Sequence, residues 1–222
     1  MVQKALENRF TEIRAGGVTL SGTLSVPREA RGIVLFVHGS GSSRMSPRNQ
    51  AVARELQHAG LGTLLFDLLT PGEELIDSET QGMRFDIPML AQRTVAAMEW
   101  VKLLDSTTGL QIGLFGASTG AAGALMAAAE RPGEIFAVVS RGGRPDLAEA
   151  SLERVRAPSL FIVGGSDREV MDLNQRAMDR LDPGVERRLE VIPGATHLFE
   201  EPGALDQVAS LAGSWFLGHL KG

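Results

Sequence analysis

From residue 33 onward the sequence repeats one pattern: a short, continuously apolar run bounded by Gly, Asp or Pro, then a longer stretch with helical periodicity. The runs fall at 33–37, 61–66, 110–115, 135–139 and 160–163, with a more polar sixth at 188–192. A run that is apolar at every position has no solvated face, which marks a parallel strand covered by helices on both sides. Helical patterns lie between at 47–59, 87–104, 118–130, 145–155 and 169–181, and 204–220 closes the chain. Strand and helix alternating in this way imply right-handed crossovers and a doubly wound, mostly parallel α/β sheet. Ahead of it, 10–14 and 18–26 alternate apolar and polar residues around Ala15-Gly16-Gly17. That alternation predicts an antiparallel hairpin at the edge of the sheet. With no repeat, low-complexity tract or linker to divide it, the stretch 1–222 is expected to be one domain.

Composition narrows the function classes. Apolar residues make up 43% and charged residues 22%, ordinary for a chain that buries one large core. A formal net charge of −5 without a Lys/Arg run argues against a nucleic-acid partner. Residues 1–10 mix Lys4, Glu7 and Arg9 into the apolar positions, so no signal-peptide core is expected there, and no stretch approaches a membrane span. The chain has no cysteine, which removes disulfides, thiol nucleophiles and thiolate metal sites and fits a cytoplasmic location. Monomer and homodimer both stay open.

In doubly wound sheets ligands bind beyond the carboxyl ends of the strands. Gly116-Ala117-Ser118-Thr119-Gly120 sits at such an end, between an apolar strand and a helix-forming run of small residues. A G-x-S-x-G string is a weak signal alone, but strand, sharp turn and helix around it are the context of a nucleophile elbow. The bland reading is a serine N-cap. A serine hydroxyl needs a base to take its proton and a carboxylate to orient that base. Of four histidines, His58 lies on a helical pattern as a surface residue, His219 lies near the C-terminus as a frayed or solvated one, and His38 precedes a Gly-rich turn and suits loop ordering. His197, in the loop after the last strand, is the expected base, its bland reading being a loop histidine bonded to backbone. Asp167, after the penultimate strand, is the expected acid, with a helix cap as its alternative and Asp67 as runner-up. The backbone amides of Thr119 and Ser40 are the expected oxyanion donors, Ser40 lying between glycines in His38-Gly39-Ser40-Gly41.

The hairpin start, His38-Gly39-Ser40-Gly41, Gly116-Ala117-Ser118-Thr119-Gly120, Gly164-Gly165-Ser166-Asp167 and Pro193-Gly194-Ala195-Thr196-His197 together resemble the dienelactone-hydrolase-like branch of the α/β-hydrolases, over nearly the whole chain. The order Ser118, Asp167, His197 is the nucleophile, acid, histidine order of that superfamily. The resemblance implies an eight-stranded α/β-hydrolase sheet, those three residues as a triad, and esterase-type chemistry with no metal or organic cofactor. Dienelactone hydrolases proper use a cysteine nucleophile, so the expectation here is a general carboxylesterase acting on a small-molecule ester. Asp67-Leu68-Leu69-Thr70-Pro71-Gly72-Glu73-Glu74 and Arg84-Phe85-Asp86-Ile87-Pro88 resemble a subgroup sometimes joined to phosphoribosyltransferase domains, for which 222 residues leave no room. No large cap is expected; 68–86 is the only sizeable loop at the strand ends and the expected partial cover.

Arg141, Arg144 and Arg84 lie near this edge as candidates to pair with a substrate carboxylate, against the plain alternative of solvated arginines or salt bridges to Asp86 or Asp146. Two rival functions remain. An acyltransferase or perhydrolase would use the same triad with another acceptor in place of water. A non-catalytic binding protein on the same fold would use the pocket as a receptor.

Overall fold

The computed structural model describes residues 6–221, so the first five residues of the stretch read above for a signal peptide lie outside the described residues. The chain starts as β1 (Leu6–Ala15) and β2 (Val18–Pro27), antiparallel and joined through Gly16 and Gly17, whose φ values of 55° and 94° suit a tight primed turn. Alternation places Ile13, Ala15, Leu20 and Leu24 in the core. β2 pairs antiparallel with β4 (Gly62–Phe66), which lies beside β3 (Gly32–Val37). From there the strands run parallel through β5 (Gln111–Ala117), β6 (Ile135–Arg141), β7 (Ser159–Gly164) and β8 (Arg187–Ile192). The sheet has eight strands in the order β1-β2-β4-β3-β5-β6-β7-β8.

The continuous apolar runs bury on both sides, as their lack of a polar face requires. On β3, Ile33, Leu35 and Val37 join the core beneath α3 (Ile87–Lys102) and α4 (Thr119–Glu130). Val34 and Phe36 join the opposite core under α1 (Pro47–His58) and α6 (Ala204–His219), where Phe36 lies 4.8 Å from Phe115 between ring centroids. Two departures from the sequence expectations follow from local chemistry. The segment 145–155 is a 3-10 helix over Pro145–Arg154 rather than an α-helix, interrupted at Glu149 with φ 47° and ψ −128°. The segment 68–86, expected as a loop, contains a ten-residue helix, α2 (Pro71–Thr80), and a 3-10 turn at Met83–Phe85. Between β7 and β8 lies α5 (Arg168–Arg180).

α2 stands on polar contacts. Thr70 and Glu73 form a reciprocal capping box, with Pro71 in the first turn. Arg93 of α3 grips both Glu73 oxygens, at 2.8 and 2.6 Å, and also donates to the Leu68 carbonyl. Arg84 donates Nε to Asp77 Oδ2 at 2.6 Å and its own backbone N–H to Asp77 Oδ1 at 3.0 Å. By contrast Leu75 and Ile76 are 73% and 55% exposed, so little apolar burial holds the helix down. Among the described residues no helix is long and apolar enough to cross a membrane.

The Arg93 hydrogen bonds hold the Glu73 carboxyl down from its ordinary 4.5 to about 2. A carboxyl depressed by folding stabilises the fold above its unfolded value, and that contribution is lost as pH falls from 4.5 toward 2. Protection of the α2 amides, taken relative to the intrinsic exchange rate at each pH, is therefore expected to fall across that window before the sheet melts. Glu73→Gln should show the faster exchange already at neutral pH, measured by hydrogen exchange with mass spectrometry.

Candidate active site

Where β5 ends, the chain turns into α4 within one residue. Ser118 occupies that turn with φ 50° and ψ −125°, a conformation that L residues rarely adopt and that costs on the order of 1–3 kcal/mol. Its backbone is tied from both sides: its N–H donates to the Arg141 carbonyl at 3.2 Å, and its carbonyl accepts from Ala121 at 3.1 Å and Arg144 at 3.0 Å. The flanking glycines are required by contact. A Cβ on Gly120 would lie 2.1 Å from the Val37 carbonyl oxygen, and one on Gly116 would lie 2.4 Å from Ala121 Cα. Ser118 precedes the helix, but its side chain makes no capping hydrogen bond, so the hydroxyl is left to the cavity it lines.

Asp167 behaves in the same way. It is the residue before α5, yet its side chain makes no cap bond. Its Oδ2 instead accepts from His197 Nδ1 at 2.7 Å, which sets the proton on Nδ1 and leaves Nε2 with its lone pair. His197 reaches this position because its loop packs tightly against the end of β7: a Cβ on Gly164 would lie 2.4 Å from the Ala195 carbonyl. The loop is braced by Glu201, whose Oε1 accepts from the Thr196 N–H at 3.0 Å and from its hydroxyl at 2.6 Å. Ser118 and His197 line one cavity of about 250 Å³, together with Gly39, Ser40, Arg48 and Arg141. No hydrogen bond joins the serine hydroxyl to the ring among the described residues; in unliganded sites such bonds are often long and tighten around substrate.

The loop after β3 forms the opposite wall. His38 is buried, donates Nδ1 to the Gly39 carbonyl at 2.9 Å and accepts the Leu68 N–H on Nε2 at 2.9 Å. It therefore stitches two loops together. Asp67, the runner-up acid, accepts the Arg44 N–H at 2.7 Å and pairs with the Arg44 guanidinium. The Ser40 amide, expected as an oxyanion donor, donates to Thr119 Oγ1 at 2.9 Å in this structure. The Thr119 amide lies in the first turn of α4, where the helix dipole favours negative charge. His58 is exposed beside Glu55, but His219, expected as frayed or solvated, is held by the Trp215 carbonyl at 2.8 Å and by Glu186.

The arginines divide sharply. Arg144 forms a two-pronged pair with Asp146, at 2.9 and 2.8 Å. Arg84 clamps Asp77, not Asp86, and lines a separate cavity of about 580 Å³ beneath α2. The segment 68–86 thus covers this neighbouring cavity, which shares the wall from Gly39 to Arg48 with the smaller one. Among the described residues Arg141 reaches no carboxylate; Arg48, which no motif singled out, lines the same cavity. Among the described residues no group of three or more His, Asp and Glu side chains is placed to hold a metal ion.

The dienelactone hydrolase family model matches residues 21–214. A Mycobacterium tuberculosis protein named "Putative phosphoribosyl transferase" is 54% identical over 217 residues, which are 98% of this chain and 48% of that one. The chain thus spans about half the length of the first curated relatives it matches. The crystal structure of a dienelactone hydrolase from Anabaena variabilis superposes with a TM-score of 0.94 at 54% identity, covering 97% of this chain and 99% of that one. Est1E from Butyrivibrio proteoclasticus shares the fold at a TM-score of 0.77 and 17% identity, covering 95% of this chain and 98% of its own.

Two measurements probe this geometry. Gly120→Ala, which drives a methyl into the Val37 and His38 carbonyls, is expected to destabilise the protein by about 3 kcal/mol or more in denaturant unfolding. Burial lowers the pKa of His38 below 6.5, outweighing the pull of the Gly39 carbonyl and the Asp67 charge. Its contribution to stability is complete above 6.5 and declines as pH falls below that value toward the folded pKa. The thermal midpoint should therefore drop between pH 7.5 and 5.5 by more in the native chain than in His38→Gln.

Proposed function

The chain belongs to the dienelactone hydrolase family, whose members are hydrolases, and we propose that it cleaves small esters through an acyl-enzyme formed on Ser118. The observation that carries this reading is the pair of side chains withheld from capping. Ser118 and Asp167 each stand at the head of a helix without capping it; one faces the cavity and the other orients the histidine that lines that cavity.

In this reading His197 Nε2 takes the proton of Ser118 Oγ as the oxygen attacks the ester carbonyl. The Asp167 carboxylate stabilises the imidazolium that results, through the Nδ1 hydrogen bond of 2.7 Å. The tetrahedral oxygen is held by the amides of Thr119 and Ser40. For Ser40 this requires that the oxyanion displace the Thr119 hydroxyl that now accepts its N–H, a swap that exchanges a neutral acceptor for a charged one. His197 then returns the proton to the leaving alkoxide, and water repeats the sequence to release the acid. The strained turn at Ser118 fits this role, because strain held by surrounding packing fixes where the hydroxyl points. The phosphoribosyl transferase name belongs to a chain about twice as long, and the hydrolase reading rests on residues 21–214.

Labelling with a fluorophosphonate probe tests the proposal. The native chain should be labelled, and Ser118→Ala should not. Turnover of short-chain esters should fall by roughly 10⁴- to 10⁶-fold in Ser118→Ala and His197→Ala, and by roughly 10⁴-fold in Asp167→Asn. A folded native chain that stays unlabelled overturns the reading. Competing alcohols or peroxide in the assay separate hydrolysis from acyl transfer by their products.

A further inference from the structure

The loop after β3 is fastened to the start of α4 by a hydrogen bond from the Ser40 N–H to Thr119 Oγ1, 2.9 Å long. A threonine inside a helix can turn its hydroxyl back on the helix, as Thr94 of α3 does by donating to the Leu90 carbonyl at 2.9 Å. Thr119 has no such outlet. It is the first residue of α4, and the residue four positions before it, Phe115, belongs to β5. Its hydroxyl accepts from Ser40, and among the described residues the hydroxyl proton meets no acceptor, although Thr119 is only 3% exposed. The Thr119 amide, at the head of the helix, has no intrahelical acceptor either.

These groups lie close to the nucleophile. Gly39, which directly precedes Ser40, packs so tightly that a Cβ on it would stand 2.9 Å from the Ser118 Cβ and 3.0 Å from the Ala117 carbonyl oxygen. Thr119 directly follows Ser118, and the short side chain keeps Oγ1 near the residue's own N–H. Oγ1 takes the hydrogen bond that the Ser40 amide would otherwise offer to a substrate oxygen. An amide can only donate, whereas a hydroxyl can accept in one state and donate in the next by rotating its proton.

We propose that the Thr119 hydroxyl is a third, side-chain donor to the oxyanion, one that holds the Ser40 amide in the free site and reverses its role when the charge develops. The inference rests on the hydrolase reading of this cavity and adds a catalytic group to it. As Ser118 Oγ bonds to the ester carbon and its proton passes to His197 Nε2, the carbonyl π pair moves onto the oxygen. That oxygen takes the Ser40 N–H from Oγ1, and the displaced hydroxyl donates its own proton to the oxygen that displaced it. A hydrogen bond to an ionised acceptor is stronger than the neutral bond given up, so the exchange favours the tetrahedral state. When the carbonyl re-forms and the alkoxide leaves with the proton from His197, Oγ1 recovers the Ser40 N–H. A contact made only while the oxygen is charged lowers the barrier without tightening ground-state binding.

The test uses Thr119→Val, which keeps the shape and removes the hydroxyl, and Thr119→Ser, which keeps the hydroxyl, with ethyl butyrate as substrate. In Thr119→Val kcat and kcat/KM should fall together by roughly 10²- to 10³-fold, the effect of removing one oxyanion donor, with KM within about 2-fold of the native value. Thr119→Ser should recover most of that loss. The propyl trifluoromethyl ketone, to which Ser118 adds to give a stable hemiketal oxyanion, should bind Thr119→Val more weakly by a factor close to the loss in kcat/KM, while the non-adding alcohol product should bind it unchanged. A hydroxyl that merely occupies the Ser40 amide gives the opposite sign: its removal frees that amide, and kcat in Thr119→Val stays level or rises. That result overturns the inference. A lowered thermal midpoint with KM rising as kcat falls, and no recovery in Thr119→Ser, also overturns it by marking the hydrogen bond as a fastener alone. Both outcomes leave Ser118 labelled by the fluorophosphonate and the hydrolase reading intact. A folded native chain that takes no label and turns over no ester removes the hydrolase reading, and the third donor with it.

Discussion

The backbone of β3 and the first turn of α4 meet at Gly120 with no room for a side chain, a Cβ there falling 2.1 Å from one carbonyl oxygen and 2.4 Å from the next. Much of the site depends on this approach. It brings Gly39 against Ser118, so that a Cβ on Gly39 would lie 2.9 Å from that of the serine, and it brings the Ser40 amide to the Thr119 hydroxyl. It also leaves the chain between β5 and α4 a single residue in which to reverse from strand to helix, and Ser118 absorbs that constraint in its dihedral angles. The cost falls on one residue; the packing that enforces it is spread over three strands and a helix. Such strain persists because the rest of the fold over-determines it.

Electrostatics divides the carboxyl edge along the same line. On the α2 side each inward cation meets a carboxylate, and the pairs serve as fasteners between segments distant in sequence: Arg93 to Glu73, Arg44 to Asp67. Beside Ser118, Arg48 pairs with Glu200, whereas the buried Arg141 guanidinium meets an amide and the Phe199 ring and no carboxylate among the described residues.

Much of this architecture was legible in the sequence because continuous apolar runs admit few interpretations. The strands and their order along the chain follow from periodicity and from Gly, Asp and Pro at the run ends, and the hairpin follows from alternation around Gly16 and Gly17. What escaped had no apolar stripe to announce it. α2 carries Leu75 and Ile76 on its exposed surface, so no buried periodicity marked it, although Thr70 followed three residues later by Glu73 is the sequence form of a capping box. The site was legible as residue types at strand ends and ambiguous as roles, since Ser118 and Asp167 are also good helix caps; only side-chain geometry shows that neither caps. Arg141 and Arg144 look alike in sequence, flanking two glycines. They differ because Asp146 lies within reach of one, while the other points to the far side of β6, where Asn49 and Arg48 arrive from a helix more than ninety residues away.

The way α2 is held sets it apart mechanically from the sheet beneath it. Helices α3, α4 and α6 bury apolar faces against strands, and removing any of them would expose core. α2 buries only Asp77, and its attachment runs through Glu73, Asp77 and two arginines. Apolar burial scales with area and does not depend on pH, whereas the pairs that hold α2, with side chains 4–23% accessible, hold only while both partners stay charged. Local opening therefore concentrates in the element with the least apolar contact, and here that element roofs the larger cavity. Ser118 and His197 stand on the other side of the shared His38 loop, anchored to strand ends, so the two halves of the cleft are held by different interactions.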